Sequence, residues 1–438
     1  MNEIEIKPIR HLDAVVSMPG SKSYTQRALV IAALAEGTSF LRNALRSEDT
    51  GYLMDALRTL GAEILVQDED IIVKGTGGNI LNPGKDIYLG NNGTAMRFLT
   101  TLITLGQGPY TLTGDPRLRE RPVKPLLDAL AKAGVDAQSR NNNGLPPIRV
   151  NASGFPGGTF TLRDIESSQY VSSLLIASPY GARDTAVELQ GRIPSLPYVE
   201  MTREAMNVFG VPVAKEAPNR FSVRRGAYRS VKYRVEGDIS SASYFFLAAA
   251  ICSGRVQVKN VNPRTLQGDI GFLDILEELG CAVLRGDQSI EVTGGSLRGG
   301  ERVFDLGDMP DMVPTLAVLS ALRLGRTVIT NVSHLRLKES DRLAALATEL
   351  KRVGVHAEET GDGIVIEGGN PRGAVIETYD DHRIAMSFAV LGLAIPGMRI
   401  RNPGCVRKSF PGFWKELEKI EDAKAKKGFE DSRVRGSE

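Results

Sequence analysis

DALRTLGAEI, residues Asp55–Ile64, reads as the end of an amphipathic helix, a glycine stop and the start of a strand. Ala56, Leu57 and Leu60 fall at helical spacing, and Gly61 stands where a left-handed helix cap is expected. The pattern returns as DALAKAGVDA (Asp128–Ala137), EAMNVFGVPV (Glu204–Val213), DILEELGCAV (Asp274–Val283) and TELKRVGVHA (Thr348–Ala357). A truncated copy, FWKELEKI, occupies Phe413–Ile420. The spacing is about 70 residues, too regular for chance likeness of helix–glycine–strand segments.

A second helix lies between successive copies. It reads GSKSYTQRALVIAAL from Gly20, GNNGTAMRFLTTLI from Gly90, ESSQYVSSLLIA from Glu166, ISSASYFFLAAA from Ile239, MPDMVPTLAVLSAL from Met309 and DDHRIAMSFAVLGL from Asp380. Each starts with small or charged residues and then turns apolar, and a β-rich run follows it. Strands and helices in alternation predict an α/β fold, with the apolar helix buried and the charged one solvated. Six such units exceed one comfortable core. Three plus three is the natural division: 20–237 as one lobe, 238–420 as the other, and 421–438 as a charged tail without apolar periodicity, expected to be disordered.

Composition narrows the function. The 438 residues are 42% hydrophobic and 24% charged, with a net charge of only +2. A nucleic-acid binder carries a basic stripe, and none is visible. Anion binding must therefore come from local clusters. No apolar run reaches the roughly 20 residues of a membrane helix, and MNEIEIKPIR lacks a signal-peptide core. Cys252, Cys281 and Cys405 stand far apart, and the four His show no HExxH spacing, so no metal or cofactor is expected. The expectation is a cytoplasmic monomer with reduced thiols, working on small molecules without a nucleic-acid or membrane partner.

The polar helix starts would present free backbone N–H groups and positive dipole ends, which suit anions. They also supply Lys22, Ser23, Arg27, Asn91, Gly93, Ser167, Ser168 and Gln169. Asp311 interrupts this cationic set, which makes it a general-base candidate. Asp380 and Asp381 read as helix N-caps. The loops after the β-rich runs add RLRERP (Arg117–Pro122), RIPSLPY (Arg192–Tyr198), HLRLKESDR (His334–Arg342) and VRKSF (Val406–Phe410). Lys338-Glu339-x-x-Arg342 is expected to open a helix, with Lys338 and Arg342 on one face and Glu339 placed either to move a proton or to serve the helix dipole. Arg97, inside a helix, is expected in a structural ion pair. Arg121, Arg342 and Arg383 could each hold a carboxylate or phosphate in two-point geometry.

GSKSYTQRALV, GNNGTAMRFL, LRERPV, SSQY, KESDR and DDHR together resemble the signatures of the 5-enolpyruvylshikimate-3-phosphate synthase family, from about Pro19 to Phe410. The resemblance implies two lobes, each of three βαβαββ units around parallel helices, with residues 1–19 joining the C-terminal lobe. It implies transfer of the enolpyruvyl group of phosphoenolpyruvate to the 5-hydroxyl of shikimate 3-phosphate, through a tetrahedral addition–elimination intermediate. Shikimate 3-phosphate would meet Lys22, Ser23, Arg27, Ser167, Ser168, Gln169, Ser195, Tyr198, Asp311 and Lys338. Phosphoenolpyruvate would meet Lys22, Asn91, Gly93, Arg121, Gln169, Arg342, Arg383 and Lys408. Asp311 would act as base, Glu339 as acid, and Lys22 on the leaving phosphate. Asn92, Phe98, His334 and Leu196 depart from frequent residues of the family. The alternative is the related enolpyruvyltransferase that acts on UDP-N-acetylglucosamine, which typically carries a reactive Cys in a first-lobe loop where GDPRLRERP has none.

Overall fold

The computed structural model describes residues 2–68 and 70–420; the charged tail read as disordered lies outside them. Internal contacts divide the chain into two units. One is Gly20–Glu236; the other is Met1–Pro19 with the chain from Gly237. No helix among the described residues is long and apolar enough to cross a membrane.

The unit Gly20–Glu236 contains helices α1 (Lys22–Leu34), α2 (Glu48–Thr59), α3 (Gly93–Leu102), α4 (Lys124–Lys132), α5 (Gln169–Ala177) and α6 (Pro197–Val208). Its strands form three four-stranded sheets built on one rule. In the first, Thr38–Arg42 pairs in parallel with Lys232–Arg234 and antiparallel with Asp70–Lys74, which pairs antiparallel with Glu63–Gln67. The strands Gln107–Thr113 and Thr185–Gln190 occupy the equivalent central place in the other two sheets.

The second unit contains α7 (Ile239–Ile251), α8 (Phe272–Glu278), α9 (Val313–Leu322), α10 (Arg342–Arg352) and α11 (His382–Ala394), followed by a helical segment at 413–420. The same pairing rule recurs around Arg255–Lys259 and Gly325–Thr330. The N-terminal segment completes two of its sheets: Asp13–Ser17 pairs in parallel with Arg255–Lys259, and Glu3–Glu5 pairs antiparallel with Arg399–Arg401.

The division between helices follows side-chain chemistry. Nearly every residue of α1, α3, α5, α7, α9 and α11 is buried, because these helices are apolar on all sides. The other helices bury one face only, as Leu53, Ala56 and Leu57 do in α2. Each of the five complete helix–glycine–strand copies ends at a left-handed glycine: φ is 110° at Gly61, 87° at Gly134, Gly210 and Gly354, and 104° at Gly280. Each unit packs one apolar core.

One local expectation fails. Lys338-Glu339-x-x-Arg342 does not open a helix. Residues Ser333–Leu337 form a 3-10 turn, Lys338 is extended, and α10 begins at Arg342. The reason is Asp341, whose side chain accepts from the Ala344 amide at 3.1 Å and so caps the helix there. Lys338 and Arg342 therefore do not share a helix face.

Candidate active site

In the unit Gly20–Glu236, α1, α3 and α5 bring their N-terminal ends together. Gln169, first residue of α5, donates to Thr94 Oγ1 at 3.0 Å and accepts from Arg97 Nη1 at 2.8 Å. Deeper along the same pair, Ser173 donates to the Arg97 carbonyl at 2.6 Å, so the two helices run in parallel. Their free N–H groups point the same way, as an anion site requires. Arg97 is not in the expected ion pair. Its partners are neutral, namely Gln169, the Pro122 carbonyl at 3.2 Å and the face of Tyr170 at 5.5 Å. It acts as a brace for Gln169.

Lys22 opens α1 after the Ser21 cap, and its Nζ lies 3.4 Å from Asp49 Oδ2. Asn92 ties this region together. Its Oδ1 accepts from the Ala95 amide at 2.9 Å, capping α3, while its Nδ2 donates to Gln26 Oε1 at 2.8 Å and to the Asp49 carbonyl at 2.7 Å. Beside it, Gly93 lies beneath the Arg121 guanidinium, which is 5% exposed and donates to the Asn91 carbonyl at 3.4 Å.

Arg27 is buried, and burial draws its guanidinium down to about 10. It remains a cation at neutral pH. It donates to Thr202 Oγ1 at 2.8 Å, the Tyr198 carbonyl at 2.9 Å, the Ser23 carbonyl at 3.0 Å and Ser172 Oγ at 3.5 Å. The ring of Phe98 lies 5.4 Å from its Cζ and supplies a cation–π face. Arg27 thereby fixes both Ser23 and the start of α6. Ser195, just before α6, takes φ 60°, in the left-handed region that serine rarely adopts, and its carbonyl accepts from the Tyr198 amide at 3.1 Å. Leu196 stands at the α6 N-cap position without a side-chain cap. Ser167 accepts from the Gln169 amide at 3.3 Å, and Ser168 is buried next to it.

In the second unit the acids and bases converge. Asp311, in the turn Pro310–Met312 ahead of α9, accepts from Arg342 Nη1 at 2.9 Å and from Arg383 Nη2 at 2.5 Å. Arg342 also donates to Glu339 Oε2 at 2.7 Å and, through Nε, to Asp381 Oδ2 at 2.8 Å. Burial alone would lower the Arg342 pKa; Asp381, Glu339 and Asp311 overcome it and hold the guanidinium above its ordinary value. Arg383 reaches the Tyr244 hydroxyl at 3.4 Å. Burial pushes Tyr244 up to about 12, so it stays neutral. Lys408 is buried at the end of the turn Pro403–Lys408, and His334 in the turn Ser333–Leu337. Lys338 is part-buried.

Asp381 does more than cap. It accepts from the Arg383 amide at 3.0 Å as the α11 N-cap and also anchors Arg342 and Ser340. Asp380 is no cap: it takes φ 54° and accepts from Asn402 at 3.0 Å. The sequence reading missed Asp49 and the second role of Asp381, because a short-range pattern carries no sign of partners 27 and 39 residues away.

Within each unit, then, residues from distant stretches meet. One group offers helix N-termini, hydroxyls and cations. The other sets two acids on a pair of guanidiniums, which suits carboxylate binding with proton transfer. The chain is similar to known proteins over nearly its whole length. A family model described as EPSP synthase (3-phosphoshikimate 1-carboxyvinyltransferase) matches residues 6–417. A 3-phosphoshikimate 1-carboxyvinyltransferase of Nostoc punctiforme is 44% identical over 418 residues, covering 94% of this chain and 98% of the relative. One of Methanoculleus marisnigri is 44% identical over 409 residues, covering 93% and 96%. The solved structure of an EPSP synthase from Acinetobacter baumannii superimposes with a TM-score of 0.78 at 28% identity, covering 96% of this chain and 98% of that one. These matches decide against the UDP-N-acetylglucosamine enzyme. The chain belongs to the EPSP synthase family.

Proposed function

We propose that this chain transfers the enolpyruvyl group of phosphoenolpyruvate to the 5-hydroxyl of shikimate 3-phosphate and releases phosphate. The observation that carries the reading is the Asp311 carboxylate held at once by Arg342 and Arg383, with Glu339 on the same Arg342. Two guanidiniums side by side match the carboxylate of phosphoenolpyruvate, and Lys408 adds a further cation.

The chemistry follows from what each acid can do. Asp311 accepts the proton of the 5-hydroxyl as its oxygen bonds to C2 of phosphoenolpyruvate. Glu339 delivers a proton to C3, which becomes a methyl group. The resulting tetrahedral adduct returns a methyl proton to Glu339, and phosphate leaves with the proton that Asp311 took. Glu339 is ion-paired in the free chain. A substrate carboxylate on Arg342 competes for the same Nη2, and a carboxyl released from a cation holds its proton more readily. Substrate binding would thus make the acid.

Lys22, Asn91, Gly93, Arg121 and Gln169 are assigned to the phosphate end of phosphoenolpyruvate, with Lys22 stabilising the leaving group. Lys22, Ser23, Arg27, Ser167, Ser168, Gln169, Ser195 and Tyr198, with Asp311 and Lys338, are assigned to shikimate 3-phosphate. Arg27 contributes mainly by fixing Ser23 and Tyr198, because most of its donors are committed. The test is phosphate release from phosphoenolpyruvate with EDTA present. It should depend on shikimate 3-phosphate; release that ignores that acceptor would refute the reading.

A further inference from the structure

One buried carboxyl near this cluster has no part in the scheme above. Asp269 lies in the short turn Gly268–Gly271 and is 2% exposed. Its Oδ2 accepts from the Ser240 hydroxyl, in the first turn of α7. Its Oδ1 is buried and meets no hydrogen-bond partner among the described residues. The turn packs against both α7 and the turn Pro310–Met312 that carries Asp311. The ionisable groups acting on Asp269 are Asp311 from that turn, Arg383 from α11 and Asp238 from the α7 cap.

This is a poor place for a second negative charge. Arg342 and Arg383 already face Asp311, Asp381 and Glu339. An ionised Asp269 would add another carboxylate in the field of Arg383, with half of its oxygen atoms unsolvated and unpaired. Burial, then the Asp311 charge, push its pKa up to about 7, against the weaker pull of Arg383 and Ser240.

We propose that Asp269 is a positioning residue that works through Arg383: protonated, it leaves that guanidinium to an incoming carboxylate; ionised, it competes for it and weakens anion binding. The proposal rests on the assignment of the phosphoenolpyruvate carboxylate to Arg342 and Arg383. Binding of that carboxylate adds negative charge beside Asp269 and so draws a proton onto it. Phosphoenolpyruvate affinity and proton uptake are then two faces of one equilibrium. A purely structural Asp269, holding Ser240 and nothing more, would show no such link.

The experiment has three arms. In the wild-type enzyme, KM for phosphoenolpyruvate should rise roughly tenfold or more between pH 6 and 8.5, while in Asp269→Asn, whose amide carries no charge, the same ratio should fall to about twofold. An equally steep rise in the variant overturns the proposal. The second arm compares calorimetric titrations of wild-type enzyme and Asp269→Asn with phosphoenolpyruvate alone, at pH 7 in buffers of different ionisation enthalpy: wild type should take up more protons than the variant, since uptake by Glu339 is common to both. Equal net proton exchange in the two also overturns it. The third arm separates the two layers of inference. Arg383→Ala should raise KM for phosphoenolpyruvate by about tenfold or more; if KM does not move, the carboxylate assignment itself is wrong.

Discussion

A Cβ placed on Gly93 would sit 2.5 Å from Cζ of Arg121, 2.6 Å from Nη2 and 2.8 Å from Nη1. Nothing in the backbone at Gly93 demands glycine, since the residue is the first of α3 and not in the left-handed region. Its role is to let a guanidinium lie flat against the helix start. Gly93→Ala must therefore push Arg121 aside while leaving the fold in place. KM for phosphoenolpyruvate is expected to rise about tenfold, the loss of one charge-assisted contact, with KM for shikimate 3-phosphate changing less. Steady-state kinetics with each substrate varied in turn check this, and equal changes in both would show that Arg121 does not discriminate between them.

Asp311 plays two parts that a single substitution separates. As base it should contribute about 10²–10⁴-fold to turnover. As a partner of Arg342 and Arg383 it also occupies the donors that a substrate carboxylate needs. Asp311→Asn should accordingly cost kcat two to four orders of magnitude (roughly, by that same range) while phosphoenolpyruvate binds as well as before or more tightly. Rapid-quench turnover and direct titration measure the two effects separately. Turnover within about tenfold of wild type would remove Asp311 from the proton path.

The repeat made the fold legible. A glycine after each amphipathic helix and a polar start to each apolar helix are local signals, and both reflect backbone requirements that recur in every copy. The candidate residues could be picked out for a similar reason, because helix starts and post-strand loops are where charged residues stand out from an apolar background. Their roles were less so. Arg97 was read as an ion-pair residue, yet its partners are an amide, a carbonyl and a ring. The start of α10 was placed early because Lys338 and Arg342 fit a helical spacing, and Asp341 took the cap instead. Asp381 was read as a cap, and the guanidinium it anchors comes from 39 residues away. Each miss concerns a side chain choosing among partners that only tertiary packing brings within reach.

Asn92, expected from the sequence to depart from the family pattern, has a structural role. It caps α3 and bridges to Gln26 and to the Asp49 backbone, all while 1% exposed. Asn92→Ala removes the cap and strands buried partners. A loss of about 2 kcal/mol is expected, which lowers the melting midpoint by roughly 4–8 °C. Calorimetry would report it. A melting temperature unchanged within about 1 °C would mean that the bridge is not made in solution.

The raised pKa of Asp269 has a consequence for stability whose sign is fixed. The folded chain keeps the proton above the ordinary carboxyl range, so the associated stability is full below that range and is lost as pH rises through about 7. Asp269→Asn does not titrate. The variant's melting temperature minus that of wild type should therefore grow between pH 5 and pH 8, by roughly 3–5 °C. A difference that stays flat over that interval would show that Asp269 titrates normally in the folded chain.

Gly134 allows the cost of the repeated helix stop to be measured alone. It takes φ 87°, and a Cβ built there meets nothing within 4 Å. At Gly280 the same atom would also press on the Ser296 carbonyl at 2.8 Å. Gly134→Ala should therefore cost only the left-handed penalty of an L-residue, about 1–2 kcal/mol. Gly134→Asn should cost less, because asparagine tolerates that region. Gly280→Ala should exceed both, since strain and overlap add. Denaturant midpoints of the three variants test the order, and an alanine at 134 as harmful as one at 280 would mean that packing, not backbone conformation, keeps glycine at the end of these helices.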